Sequence, residues 1–305
     1  MTTLPGAGED SDLAKAVPDI PTLRTRLEET GYLTDEGLAT ALFCAARLSQ
    51  PLLLEGEAGV GKTQAAKALA ELLGTPLIRL QCYDGIDAAE ALYEWNYPRQ
   101  LLAIRLAEAE GTHLREDELF GPDYLIERPL LQAVRHPGRL PAVLLIDEVD
   151  RADEEFEAFL FELLAEGAIT IPEIGTVTAR TPPIAVLTSN RTRDLHDALK
   201  RRCLYHWIDY PDVARAASII RLRVPESAED LTVSVAGAVQ RLRSLDLQKP
   251  PGVAEAIDWV RALSLLGVSR LDAGVVQSTL GSAVKYREDL DLVLARGADW
   301  VAGEG

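Results

Sequence analysis

The sequence predicts a three-layer α/β domain around a parallel sheet, followed by a smaller all-α subdomain. Three observations predict it. Five short apolar runs alternate with helix-like stretches through the first two thirds of the chain, strand signals stop after Tyr210, and a glycine-rich turn joins the first run to a helix. Nearly continuous apolar runs suit central strands covered on both faces. Their alternation with helices is the pattern of a parallel sheet with crossover connections.

In chain order, residues 1–20 are acidic, carry Gly, Pro and Asp, and lack the apolar core of a secretory leader. A flexible tail is expected there. The α/β domain is expected over 21–211, with strands at Pro51–Gly56, Pro76–Cys82, Pro141–Glu148, Pro183–Asn190 and Leu204–Tyr210. Gln64–Leu73 is rich in Ala, Leu and Glu and stops at Gly74, so it reads as a helix. Over 212–305 the helical subdomain is expected from Val213–Arg223, Asp230–Leu245, Val253–Leu266 and Gly274–Asp289, with Pro250-Pro251-Gly252 as a breaker before the third.

Composition excludes some functions. Hydrophobic residues make up 47% and charged residues 26%, the balance of a soluble globular chain. No apolar run nears the ~20 residues of a membrane span. Nucleic-acid binding needs a basic stripe, and a formal net charge of −17 argues against such a partner. Cys44, Cys82 and Cys203 are scattered without metal or disulfide spacing, which fits buried thiols in a reducing cytoplasm. His113, His136, His196 and His206 also lack ligand spacing.

Gly56-Glu57-Ala58-Gly59-Val60-Gly61-Lys62-Thr63 matches G-x-x-x-x-G-K-[ST] at every fixed position, between a strand and a helix. Glycines let the backbone bend so that successive N–H groups converge on phosphate oxygens. The helix N-terminus adds partial positive charge. Lys62 is suited to the β- and γ-phosphates of ATP and the Thr63 hydroxyl to Mg²⁺. The second motif is Val143-Leu144-Leu145-Ile146-Asp147-Glu148, an apolar strand ending in two carboxylates. At the carboxyl end of a parallel strand, Asp147 would join Thr63 in holding Mg²⁺ and Glu148 would act as general base on the attacking water.

With these motifs the chain resembles the AAA+ ATPases, and within them the MoxR branch. Asp147-Glu148-Val149-Asp150-Arg151-Ala152 and the helix to Leu164 resemble the branch's acidic motif. Ala165–Pro172 resembles the start of an inserted β-hairpin. Ile184-Ala185-Val186-Leu187-Thr188-Ser189-Asn190 is similar to the sensor-1 strand, and Asp197–Cys203 to the arginine-finger segment. Stretches 81–87, 92–101, 124–131 and 203–211 resemble the accessory ATPases of carbon monoxide dehydrogenase maturation.

The resemblance implies a P-loop NTPase core with a helical lid. It also implies that Asn190 positions the attacking water and that Arg202, or Arg201 after it, reaches a neighbouring subunit's site in a ring, a hexamer in this family. It implies a chaperone that remodels a metalloenzyme client beside a partner with a von Willebrand factor A domain. One departure stands out: where relatives carry a sensor-2 arginine this chain has Glu255, and Arg261 lies almost two turns later. Tyr93, Trp95 and Tyr97 are expected to pack, and Tyr32 and Leu33 lie at a distance suited to an adenine pocket. A nucleotide-gated scaffold with negligible hydrolysis and a nucleic-acid motor remain the alternative functions.

Overall fold

In the computed structural model, which describes residues 12–304, the five apolar runs become one sheet. Its strands are β1 Leu52–Gly56, β2 Leu77–Gln81, β3 Val143–Asp147, β4 Ile184–Ser189 and β5 Leu204–Ile208, in the order β2-β3-β4-β1-β5. The β2–β3, β3–β4 and β4–β1 pairs are parallel, with Leu80 opposite Ile146, Ile146 opposite Leu187 and Glu55 opposite Ser189. β1, β3 and β4 are buried along their whole length, which is why their sequences run apolar instead of alternating. β2 and β5, at the two edges, carry the exposed Arg79 and Tyr205.

The chain divides into two compact units. Of the described residues, the first holds 12–27, 34–55 and 65–206. Its core joins Leu53, Leu144, Ile146 and Leu187 of the sheet to Leu130, Leu131, Phe156 and Leu160 of the helices. Between β2 and β3 two short strands, Tyr93–Trp95 and Leu125–Glu127, pair antiparallel around the helix Tyr97–Ala109. Trp95 packs edge-on against Tyr93 and Phe120, as expected of it, whereas Tyr97 is 62% exposed. Ala168–Ile171 and Gly175–Thr178 form the hairpin before β4.

The second unit holds 28–33, 56–64 and 207–304. The expected boundary at 211/212 therefore misses two segments. Hydrogen bonds tie both to it: the Val253 backbone N–H donates to the Gly59 carbonyl (3.0 Å), and the Arg215 side chain donates from Nη2 to the Leu33 carbonyl (3.3 Å). Helices Val213–Arg223, Glu229–Arg243 and Val253–Leu265 close around the fully buried Trp259.

Two expectations are corrected. Residues 12–20 are not a tail, because Asp12–Ala16 is helical and Leu13, Ala14 and Val17 are buried on one face. Residues 1–11 lie outside the described part. The expected helix Gly274–Asp289 is broken: Ala273–Thr279 gives way to a 3₁₀ turn, Leu280–Ser282, and a new helix, Arg287–Arg296. Gly281 and Ser282 are weak helix formers, and the turn lets Leu280, Ala283 and Val284 all reach the core. Among the described residues no helix is long and apolar enough to cross a membrane.

Candidate functional site

In the second unit the loop Gly56–Gly61 runs into the helix Lys62–Leu73. Gly56, Gly59 and Gly61 all have positive φ (152°, 77° and 98°), so the glycines stand where the bend needs them. Space excludes a side chain at Gly56 and crowds one at Gly59. A Cβ on Gly56 would lie 2.4 Å from the Ile208 carbonyl oxygen, and one on Gly59 would lie 3.1 Å from Gly252 Cα. Val60 is buried, while Glu57 and Ala58 are exposed. Lys62 is 6% exposed, and its ammonium donates to the carbonyls of Gly56 (2.7 Å) and Glu57 (2.8 Å). Thr63 lies in the first turn of the helix. Tyr32, also buried, places its hydroxyl 3.4 Å from the Gly61 carbonyl and its ring against Gly61.

Glu255, at the place where the resemblance implies an arginine, turns back on its own helix. Its carboxylate accepts the Gly252 N–H (2.9 Å) and closes the first turn of the helix Val253–Leu265. Arg261 pairs with Asp258 on the same helix (3.5 Å).

In the first unit the sheet register sets the acidic end. Because Ile146 faces Leu187, Asp147 is level with Thr188. The Thr188 hydroxyl donates to Asp147 Oδ1 and accepts the Glu148 N–H (2.9 Å). Asp147 is 3% exposed, and Arg79 donates to its Oδ2 from Nε (3.0 Å) and Nη2 (2.6 Å). Glu148 leaves the strand with φ +54°, a turn uncommon for a non-glycine residue, and its carboxylate pairs with Arg151 Nε at 2.9 Å.

Asp150, 2% exposed, ties this end to the loop after β4. Its Oδ2 accepts the N–H of Asn190 (3.2 Å), the N–H of Thr192 (2.8 Å) and the Thr192 hydroxyl (2.8 Å). Glu157, 1% exposed, accepts the His196 N–H (2.7 Å) and pairs with Arg193. Arg201 caps the short helix Asp197–Lys200 with its side chain 82% exposed. Arg202 is exposed too, and its carbonyl accepts from Gln50 (3.0 Å).

Asp147, Glu148 and Asn190 are thus gathered at one end of the sheet, with Arg201 and Arg202 on an exposed helix end. Thr188, Asp150, Arg79 and Glu157 have no role assigned from the sequence, though the first two lie inside the motifs quoted above. Thr188 has a signal in hindsight, since Thr188-Ser189 are polar residues in a run otherwise buried and apolar. Among the described residues no group of three or more His, Cys, Asp or Glu is placed to hold a metal by itself.

The family model for the AAA domain, dynein-related subfamily, matches residues 51–203. The chain belongs to this family. Its P-loop and acidic strand end are those of a nucleotide-binding, nucleotide-hydrolysing fold, and the MoxR-branch assignment stands with it. The denitrification regulatory protein NirQ of Pseudomonas aeruginosa is 28% identical over 71% of this chain and 76% of its own. Protein NorQ of Paracoccus denitrificans is 26% identical over 87% of this chain and 93% of its own. Among solved structures, the Thermotoga maritima RuvB Holliday junction branch migration motor aligns at 16% identity and a TM-score of 0.45. That alignment covers 84% of this chain and 68% of the motor.

Proposed function

We propose that this AAA+ protein hydrolyses ATP as a ring-forming chaperone of the MoxR branch and remodels a partner protein during metalloenzyme maturation. The supporting observation is the shared anchoring of Asp147 and Glu148 by Thr188, with Asn190 tied to the same end through Asp150. The loop Gly56-Glu57-Ala58-Gly59-Val60-Gly61 supplies backbone N–H groups to phosphate oxygens, and Lys62 turns from its carbonyls to the β- and γ-phosphates. Thr63 and Asp147 would hold Mg²⁺, which when bound would neutralise charge on the phosphates. Glu148 takes the proton of the attacking water, and Asn190 orients that water. Arg202, with Arg201 as second choice, acts on a neighbouring subunit's nucleotide, a role for which an exposed helix end is suited. Such a heterologous contact closes into a ring, a hexamer in this reading.

The client class rests on resemblance. The likeness to carbon monoxide dehydrogenase accessory ATPases points to a molybdenum hydroxylase and to a companion with a von Willebrand factor A domain. NirQ adds a denitrification regulator to the possible roles. The setting is cytoplasmic and no nucleic acid takes part. A nucleotide-gated scaffold is the second reading, favoured by Glu255 capping its own helix where relatives place an arginine.

The test is ATP turnover with Mg²⁺ for wild type and Glu148→Gln over a range of protein concentrations. Turnover is expected to rise faster than linearly with concentration in the wild type. In the variant it should drop by about 10²–10⁴-fold with ATP binding retained. Equal, negligible turnover in both proteins, with and without candidate clients, would establish the scaffold instead.

A further inference from the structure

The turn that meets the phosphate loop is held by side chains far from it in sequence, all within the second unit. Residues 244–252 connect the helix Glu229–Arg243 to the helix Val253–Leu265, and 248–252 form the turn at the end of this connection. Asp289, on the helix Arg287–Arg296 and 2% exposed, accepts the N–H groups of Gln248 (2.8 Å) and Lys249 (3.1 Å). Arg243 donates from Nε to the Pro251 carbonyl (2.7 Å), and its guanidinium lies 3.9 Å from the centre of the Tyr210 ring. Glu255 takes the Gly252 N–H. The turn is therefore braced at both ends and in the middle by buried or half-buried groups.

Its far end touches the phosphate loop directly. A Cβ on Gly252 would lie 2.8 Å from Gly59 Cα and 3.0 Å from the Ala58 carbonyl oxygen, so only glycine permits the approach. The Val253 N–H then donates to the Gly59 carbonyl (3.0 Å). In a planar trans peptide the C=O of Gly59 and the N–H of Val60 point in opposite directions. Fixing that carbonyl toward Val253 therefore fixes the Val60 N–H toward the inside of the loop, where phosphate oxygens are bound in the nucleotide reading.

We infer that Asp289 and Arg243 are positioning residues for phosphate binding: by bracing the 248–252 turn they orient the Gly59–Val60 peptide. This rests on the nucleotide reading of the loop. It gives Glu255 and its neighbours a role that needs no cation at the sensor-2 place: the lid shapes the loop through a backbone bond. The side chains act on binding and not on the chemical step.

The experiment measures the Kd of a fluorescent ATP analogue, and kcat and KM for ATP, in full-length wild type, Asp289→Asn, Arg243→Ala, Arg243→Lys and Val253→Pro. Lys62→Ala is the control for the loop itself, and circular dichroism and thermal melting report folding. Val253 is the first residue of its helix, and Gly252 is extended at φ −84°, ψ −169°. Proline is accepted at such a position while removing the N–H. Each of Asp289→Asn, Arg243→Ala and Val253→Pro should weaken the analogue by about tenfold and raise KM in step, with kcat kept. Arg243→Lys should recover part of the loss. Adding Asp289→Asn to Val253→Pro should cost nothing further, because the bond through which Asp289 acts is already gone. A wild type that binds, beside Asp289→Asn and Arg243→Ala that bind equally well, would overturn the proposal alone. So would losses that simply multiply in the double variant. A wild type that binds no better than Lys62→Ala would sink the nucleotide reading and the proposal with it.

Discussion

The Thr188 hydroxyl donates to the carboxylate of Asp147, and the same oxygen accepts the N–H of Glu148 at 2.9 Å. One side chain on β4 therefore fixes both acidic residues at the end of β3. Thr188→Val keeps the shape of the side chain and removes the hydroxyl, leaving a buried carboxylate oxygen and a backbone N–H short of a partner. The expected cost is about 1–3 kcal/mol of stability in denaturant unfolding. ATP turnover should fall about tenfold to a hundredfold, since each 1.4 kcal/mol of lost transition-state positioning is a factor of ten. Thr188→Ser should retain most of both. A Thr188→Val protein with wild-type turnover would mean that the strand alone positions the acids.

Asp150 carries the next prediction. Its Oδ2 collects three donors from Asn190 and Thr192, and Asp150→Ala would leave two backbone N–H groups unpaired. The expected outcome is a loss of about 2–4 kcal/mol in stability and a fall in turnover, with nucleotide affinity kept, because the phosphate loop makes none of these bonds. Isothermal titration beside a turnover assay separates the two. Loss of affinity together with unchanged turnover of the bound fraction would contradict this placement.

All five strands of the sheet were legible as mainly apolar runs, and the three central ones most clearly, since strands covered on both faces must be apolar throughout. The order β2-β3-β4-β1-β5 came only with the structure. Gly56–Thr63, Asp147 and Glu148 were legible because their chemistry demands fixed residue types at fixed spacing. What escaped was whatever depends on contacts between distant segments. Asp289 reads as an ordinary surface acid in a charged stretch, and only the fold shows it 2% exposed beneath Gln248 and Lys249. The helix at Asp12–Ala16 escaped for the opposite reason: its composition resembles a tail, and three small apolar residues decide otherwise.

Glycine positions in the loop can be separated from those in ordinary turns. Gly56 and Gly74 both have positive φ, but a Cβ on Gly56 meets the Ile208 carbonyl oxygen at 2.4 Å, while one on Gly74 meets nothing within 4 Å. Gly74→Ala is expected to cost about 1 kcal/mol for the backbone conformation alone, with nucleotide binding intact. Gly56→Ala must displace backbone, so binding of the ATP analogue should be lost and the melting temperature should fall further than for Gly74→Ala. Equal melting shifts with binding retained in both variants would refute the assigned close approach.

Cys82 and Cys203 give a prediction in pH. Burial pushes each thiol from about 9 up to about 12, and at Cys82 the nearby carboxylates of Asp147 and Asp150 push the same way. The thiolate is the reactive form, so iodoacetamide at pH 8 should leave both residues unmodified in the native protein and label them in guanidinium. The stability consequence follows from where the proton sits. Below about pH 9 folded and unfolded chains both hold it, and these groups add no pH dependence. Above that the unfolded chain releases the proton while the folded one keeps it, so stability is lost as pH rises from about 9 toward 12. The slope approaches about 1.4 kcal/mol per pH unit for each thiol. Comparing unfolding at pH 8 and pH 10.5 for wild type and a Cys82→Ala/Cys203→Ala variant isolates this contribution from that of tyrosines and lysines. The wild type should lose more stability between the two pH values than the variant, whatever their absolute stabilities. Equal losses would mean that these thiols ionise as readily in the folded protein as in the unfolded chain.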